Sequence, residues 1–279
     1  MNLFTLAHLT LGAPPIESID AAHAAGFGAL GIRIAPRRPD EPYPVRVIGA
    51  PDTIRDIRDK ARDAGVAISN VSAYQFFPDT RWSDVQAVVA TAHALGAPAI
   101  VAYSFDPDEG RFLEIFTRYC DEAHAAGIRI ALEFLPYSRV RDLRSAIDII
   151  ERSGAPNAGV VIDVLHLHRS GGTIRDVVRV DPAQIAYVQL CDGPRHPMAT
   201  SDAELMTEAR TQRRPAGEGE FPLFELLDVL PADMEIEYEV APAERASLPA
   251  VEKARRARAD IDRFMHAYRA HRERISPDA

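Results

Sequence analysis

At 279 residues, 47% of them apolar, the chain is long enough to bury one large core and is the size of a single barrel domain. Its formal net charge of −9 argues against a broad nucleic-acid-binding face, and no apolar run approaches the ~20 residues of a membrane span. Two cysteines, Cys120 and Cys191, do not make a disulfide framework and suit a reducing cytoplasm, while the two lysines, Lys60 and Lys253, lie in arginine- and acid-rich stretches unsuited to Schiff-base chemistry.

In chain order, "MNLFTLAHLTLGAPP" lacks a basic leader and a long apolar core, so it reads as a first strand and not a signal peptide. Strands are expected at 3–9, 29–35, 66–73, 98–105, 129–135, 159–165, 185–191 and 234–241. Helices are expected near 16–25, 51–64, 82–95, 111–126, 141–153, 173–179, 221–229 and 249–272. One grammar repeats: an alanine-rich helix ends at Gly26, Gly65, Gly96 or Gly127, and a short apolar strand follows. His23, His93 and His124 each sit in the last helical turn before such a glycine and read as structural. Helix, cap glycine and strand recurring every ~30–40 residues predicts a (β/α)8 TIM barrel, one domain over 1–279. A doubly wound sheet is the alternative, weakened because no G-x-G-x-x-G turn follows the first strand. Two connections are long, 36–45 and the stretch from Gly193 to about Phe221, and both read as lids.

In a barrel the chemistry gathers at the C-terminal strand ends. Here those ends carry Glu133, Asp163, Gln189 and a strand-8 glutamate. Buried carboxylates are costly unless paired or bound to a cation, so one divalent metal held by these residues accounts for them together. On strand 8, alternation puts Glu235, Glu237 and Glu239 on one face. Glu239, nearest the mouth, is preferred to Glu237 as the ligand. The lower glutamates are expected to pair with inward arginines such as Arg33 or Arg129. In "GVVIDVLHLHRSGG", Asp163 ends the strand, His166 leans over the pocket, and Gly171-Gly172 turns the chain toward the next helix. His168 reads as a supporting residue, and His8 as either pocket-lining or core.

The stretches "LEFLP", "IDVLHLHRSGG", "YVQLCDGPR" and "RRPAGEGEFPL" followed by "IEYEVAP" together resemble the xylose isomerase-like barrels. This is the sugar phosphate isomerase/epimerase superfamily, or AP endonuclease family 2, which also contains endonuclease IV. The resemblance implies that Glu133, Asp163, Gln189 and Glu239 hold Mn²⁺ or Mg²⁺, and that His166 touches a substrate oxygen. The arginine six residues after the strand-7 ligand in ketose 3-epimerases corresponds to Arg195. The chain departs from that pattern twice. Gln189 stands where the epimerases usually carry histidine, and an all-oxygen donor set favours Mn²⁺ or Mg²⁺ over Zn²⁺. Arg139 stands where they carry an acidic substrate-binding residue, which suggests a more positive pocket. Arg195, Arg213 and Arg214 are expected on the same rim, with Arg214 as a further substrate contact.

The expected activity is therefore metal-dependent isomerisation or epimerisation of a small sugar, sugar phosphate or related hydroxy-carbonyl compound. Glu133 and Glu239 would move the proton through a metal-stabilised enediolate. A lyase of the dehydroshikimate or inosose dehydratase kind is the alternative. A DNA-repair endonuclease lacks support, because "QLCDGP" stands where a D-x-H is needed. A non-catalytic scaffold has no need of convergent carboxylates. The expected partners are a small-molecule substrate and a second copy of the chain, with no nucleic acid and no membrane.

Overall fold

Eight parallel strands form a closed barrel in sequence order, with β8 hydrogen-bonded back to β1. The structure is a computed structural model and describes residues 3–196 and 201–275. The strands are β1 (Phe4–Leu6), β2 (Ala29–Arg33), β3 (Ala67–Ser72), β4 (Ala99–Ala102), β5 (Arg129–Glu133), β6 (Ala158–Asp163), β7 (Ile185–Leu190) and β8 (Ile236–Tyr238). The helices are α1 (His8–Leu11), α2 (Pro15–Ala24), α3 (Pro51–Ala64), α4 (Trp82–Leu95), α5 (Glu109–Ala125), α6 (Leu143–Ser153), α7 (Val164–Arg169), α8 (Ile174–Val177), α9 (Asp202–Thr211), α10 (Leu223–Val229) and α11 (Ala250–Ile275). Among the described residues no helix is long and apolar enough to cross a membrane, and both cysteines are free and buried.

The four cap glycines take the left-handed backbone that the repeat requires, with φ of 75° at Gly26, 64° at Gly65, 75° at Gly96 and 71° at Gly127. Beside them, the His23 ring donates to the carbonyl of Ala64 (2.7 Å) and the His93 ring to that of Ala126 (3.2 Å). Each histidine thus ties its helix to the carbonyl end of the next one.

The main core fills the space between strands and helices. A smaller cluster contains Val101, Tyr103, Ala131, Leu135, Val161 and Tyr187. Side chains alternate along a strand. Ala131, Val161 and Tyr187 therefore share a face with Glu133, Asp163 and Gln189, and form an apolar floor beneath the polar residues at the mouth.

Four features that bear on the site differ from the sequence reading. Strand 1 ends at Leu6, not 9, and His8 opens α1, whose last turn closes on the left-handed Gly12. Strand 6 ends at Asp163, not 165, because its carboxylate accepts from the backbone N–H of His166 (3.0 Å) and caps α7. The long connection after β7 contains α9, opened by a capping box between Ser201 and Glu204. Residues 197–200 of that connection lie outside the described residues. The lower strand-8 glutamates do not pair with Arg33 or Arg129. Glu237 accepts from Asn70 (2.8 Å) and Gln189 (2.8 Å), and Glu235 from Thr5 (2.9 Å). Neutral amides and hydroxyls inside the barrel satisfy these carboxylates, while Arg129 reaches the carbonyl of Ala183 instead. The Glu237 carboxylate fits only because residue 31 is glycine, since a Cβ there would collide with it and with Asn70.

Candidate active site

The register places the expected site residues side by side. Asp163 pairs with Gln189 across β6 and β7, and Gln189 with Glu237 across β7 and β8. Glu239 lies just past β8, its backbone N–H bonded to the carbonyl of Leu190 (3.1 Å). Gln189 Nε2 donates to Glu237 Oε2 at 2.8 Å and to Glu239 Oε1 at 3.4 Å. Glu133, Asp163, Gln189 and Glu239 are all buried. His166, three residues into α7, brings Nε2 to 3.5 Å from Glu133 Oε1 and 3.9 Å from Asp163 Oδ2. Tyr137 packs edge-on against its ring.

Arg213 is buried in the middle of this group. Its Nη1 lies 2.7 Å from Asp163 Oδ2 and its Nη2 lies 2.9 Å from Glu239 Oε2. The sequence reading put Arg213 only on the rim, yet it is the internal cation of the site. Its Nε donates to the carbonyl of Ala209 (2.7 Å), which holds the guanidinium from the end of α9.

One guanidinium does not neutralise the carboxylates around it. Burial, with repulsion from Glu239 and Asp163, pushes Glu133 well above the usual carboxylate range. Burial pushes Glu239 up to about 8 despite the attraction of Arg213. Burial also raises Glu237 to about 7, against the hydrogen bonds from Asn70 and Gln189. Asp163 is equally desolvated, but Arg213 and then His166 hold it below its ordinary value. Burial lowers His166 to about 4, so at neutral pH its ring is uncharged and can act as a ligand.

These residues fit a divalent cation. Glu133, Asp163 and His166 each offer a ligand atom, and the three atoms lie within 4.8 Å of one another. The buried Gln189 Oε1 has no hydrogen-bond partner among the described residues. Asp163 Oδ2 is ion-paired with Arg213 at 2.7 Å, and a carboxylate oxygen has a second lone pair to offer. An unpaired buried oxygen beside crowded carboxyls, whose protons a cation can replace, is what a metal ion would satisfy.

The other expected substrate contacts are dispersed. His8 lines the mouth together with Glu133, His166 and Glu239. Arg139 is exposed and lines a different groove, beside Ser104 and Asp106. Arg195 is exposed, its backbone N–H bonded to Glu220. Arg214 is exposed, and its backbone pairs with that of Asp192 across the base of the long connection. The Asp192 carboxylate fastens the same base by accepting from the backbone N–H groups of Gly193, Gly217 and Phe221. The arginines that do face the mouth are Arg33, Arg37, Arg210 and Arg213. Arg37 and Arg210 went unnoticed in the sequence, since neither lies at a strand end.

Residues 19–263 match the family model described as the xylose isomerase-like TIM barrel. An inosose isomerase of Halalkalibacterium halodurans is 27% identical over 126 residues, which are 42% of this chain and 45% of that protein. A 3-dehydroshikimate dehydratase of Pseudomonas aeruginosa is 31% identical over 104 residues, 37% of this chain and 15% of that protein. Both matches span less than half of the relative's length. An IolI protein solved with a bound zinc atom shares the fold, with a TM-score of 0.75, 17% identity, and coverage of 95% of this chain and 98% of that one.

Proposed function

The chain belongs to the xylose isomerase-like TIM barrel family, and from that premise we propose that it is a metal-dependent isomerase or epimerase of a small hydroxy-carbonyl compound. The observation that carries this reading is the buried, under-neutralised group of Glu133, Asp163 and His166 at the barrel mouth, with ligand atoms within 4.8 Å of one another. Glu133, Asp163, Gln189 and Glu239 would hold the ion, with His166 as a nitrogen donor on the same side. The oxygen-rich set favours Mn²⁺ or Mg²⁺, and the zinc of the IolI protein makes Zn²⁺ the competitor to test. When bound, the ion supplies positive charge that polarises a substrate carbonyl and acidifies the neighbouring C–H.

The chain's own residues do the rest. Glu133 and Glu239 are the proton carriers, because both carboxylates line the mouth where the carbonyl end would lie, Glu133 beside His166 and Glu239 beside Arg213. Arg213 holds Asp163 and Glu239 in place and spreads positive charge over the site. His166, neutral and beside Glu133, offers its Nε2 to the ion from that side. Tyr103, Leu135 and Tyr137 wall the cleft and exclude water.

Dehydration is the second reading, favoured by the similarity to the 3-dehydroshikimate dehydratase. Loss of a β-hydroxyl after the same proton abstraction needs only an acid to protonate the leaving oxygen. One experiment covers both. The protein is incubated in D₂O with a panel of cyclic and open-chain hydroxy ketones, acidic and neutral, with EDTA or with Mn²⁺ restored. Deuterium entering the carbon beside the carbonyl, lost with EDTA and regained with Mn²⁺, supports the proposal. A new ultraviolet band from an unsaturated ketone marks dehydration. Exchange indifferent to chelation, or a purified chain that binds no divalent ion, overturns it.

A further inference from the structure

We propose that Arg33, Arg37 and Arg210 form an anion subsite at the barrel mouth, which takes the carboxylate or phosphate end of a polyhydroxy substrate whose carbonyl end lies against Glu133 and Glu239. The inference rests on the proposed function for the second half of that statement and on the arginines alone for the first.

The three guanidinium groups come from separate parts of the chain. Arg33 ends β2, Arg37 lies in the connection that follows, and Arg210 is in the last turn of α9. All three line the cleft that also contains Glu133, His166 and Glu239. None of them forms an ion pair among the described residues, whereas the neighbouring Arg38 is paired with Asp79 at 3.0 Å. Among the described residues Arg33 Nη2 donates only to the carbonyl of Ala73, at 3.3 Å.

The backbones that carry Arg33 and Arg37 are fixed. Tyr43 Oη donates to the carbonyl of Arg33 (2.6 Å), and the N–H of Gln75 to that of Arg37 (2.9 Å). α9 is docked by a bidentate buried pair, with Arg169 Nε and Nη2 each 2.7 Å from Glu208. Gathering like charges without a counterion costs free energy. Burial, together with mutual repulsion among them, depresses the proton affinity of Arg33 and of Arg210. His8 lies against the same group and is held neutral, its pKa pushed down to about 3 by burial and then by Arg33 and Arg37. The acid that most nearly opposes this charge, Glu41, is exposed and bonded to the backbone N–H of Arg38. An anion between the forks would remove the repulsion and gain charge-assisted hydrogen bonds, and the guanidinium shape matches carboxylate and phosphate alike.

The cleft measures about 70 Å³, far below the roughly 300 Å³ of even a small ligand site. An incoming substrate therefore displaces the long arginine side chains, and a bound anion gives them a fixed place.

The test is calorimetric binding to the full chain of three probes: gluconate, glucose 6-phosphate and sorbitol. Each is run with EDTA, to remove direct coordination of gluconate by a metal, and again with Mn²⁺. At least one anion should bind about tenfold or more tightly than sorbitol with EDTA present, the worth of one charge-assisted hydrogen bond. R37Q and R210Q should each weaken that anion about tenfold while leaving Mn²⁺ binding and the circular dichroism spectrum unchanged. Preference for gluconate assigns a carboxylate, and preference for glucose 6-phosphate assigns a phosphate. Binding of neither anion, parity of both with sorbitol, or indifference to both substitutions overturns the subsite. A chain with the anion preference but no metal binding would sink the proposed function and leave the subsite standing. Metal-dependent exchange without the anion preference would do the reverse.

Discussion

The two halves of the barrel mouth are built with opposite charge and opposite bookkeeping. The half made by β5 to β8 gathers Glu133, Asp163, Glu237 and Glu239, and holds Arg213 as an internal cation. The half made by β1, β2 and their connections gathers His8, Arg33 and Arg37, joined by Arg210, and has no internal anion among the described residues. A single helix, α9, serves both, since Arg210 and Arg213 leave its C-terminal end toward the basic and the acidic half respectively. Each half is thus short of the opposite charge, the acidic half by a cation and the basic half by an anion. A molecule bringing an anionic group to one and, with a divalent ion, a polarisable carbonyl to the other would relieve both.

The largest expected effect falls on the acidic half. Glu133→Gln keeps the shape but cannot take a proton, so kcat on the best substrate of the panel should fall by about 10³-fold or more. The same substitution should leave anion binding by the arginines within about threefold, well under the tenfold worth of a lost charge-assisted hydrogen bond. Parallel loss of turnover and anion affinity would mean that the halves are not separable. The second effect is on stability. Arg213→Met removes the internal cation and leaves Asp163 and Glu239 facing each other, at a cost of about 3–5 kcal/mol in urea unfolding with EDTA present. Mn²⁺ should restore much of that loss by supplying the missing charge. If Arg213→Met unfolds no more easily than the parent chain, the guanidinium is not what neutralises this half.

The acidic half was legible in the sequence and the basic half mostly was not, for a physical reason. A strand end is a place that hydrophobic periodicity marks, so Glu133, Asp163, Gln189 and Glu239 announced themselves as polar residues closing apolar runs. Their gathering then followed from barrel topology. Arg37, Arg210 and Arg213 sit in connections, where polar residues are ordinary and only tertiary folding decides which face inward. The S-x-x-E of Ser201 to Glu204 is a helix-start signal that would have revealed α9 within the long connection. Even so, it would not have said that Arg213 turns inward, because that depends on the hydrogen bond to Ala209 and on the Arg169–Glu208 pair. Arg139 shows the limit of spacing arguments. It occupies the position expected from the resemblance, yet it is exposed in a neighbouring groove.

A third expected effect concerns the helix that links the halves. The Arg169–Glu208 pair is almost wholly buried, with side-chain exposures of 1% and 7%. Arg169 also donates to the carbonyl of Pro194 (2.9 Å). Arg169→Met should loosen α9 and weaken both arginines at once. The expected signature is a KM raised about tenfold on an anionic substrate, with kcat also reduced, since Arg213 loses its support. A KM change without any kcat change would show that Arg213 stays in place independently of the helix, and would separate the two halves further.

The smallest effect is a pH dependence carried by His8, and it tests whether the basic half is as positive as its residues suggest. The folded chain holds His8 neutral, with its pKa lowered from 6.5 to about 3, by burial first and then by Arg33 and Arg37. In the unfolded chain the ring takes a proton near pH 6.5. Between those values the unfolded state binds more protons than the folded one, so this contribution to stability is intact above pH 6.5 and is lost progressively as the pH falls below it. The limiting slope for one group is about 1.4 kcal/mol per pH unit. Because His8 retains some solvent exposure, a loss of about 1 kcal/mol between pH 7 and pH 5.5 is the expected outcome. Urea unfolding of the parent chain and of His8→Gln at both pH values isolates it, since the other histidines are common to both proteins. Gluconate or glucose 6-phosphate bound among the arginines should raise the His8 pKa and flatten the difference. A His8 ring that titrates near 6.5 by NMR in the free protein would show that Arg33 and Arg37 exert little field there, and the comparison between the two halves would lose its basic side.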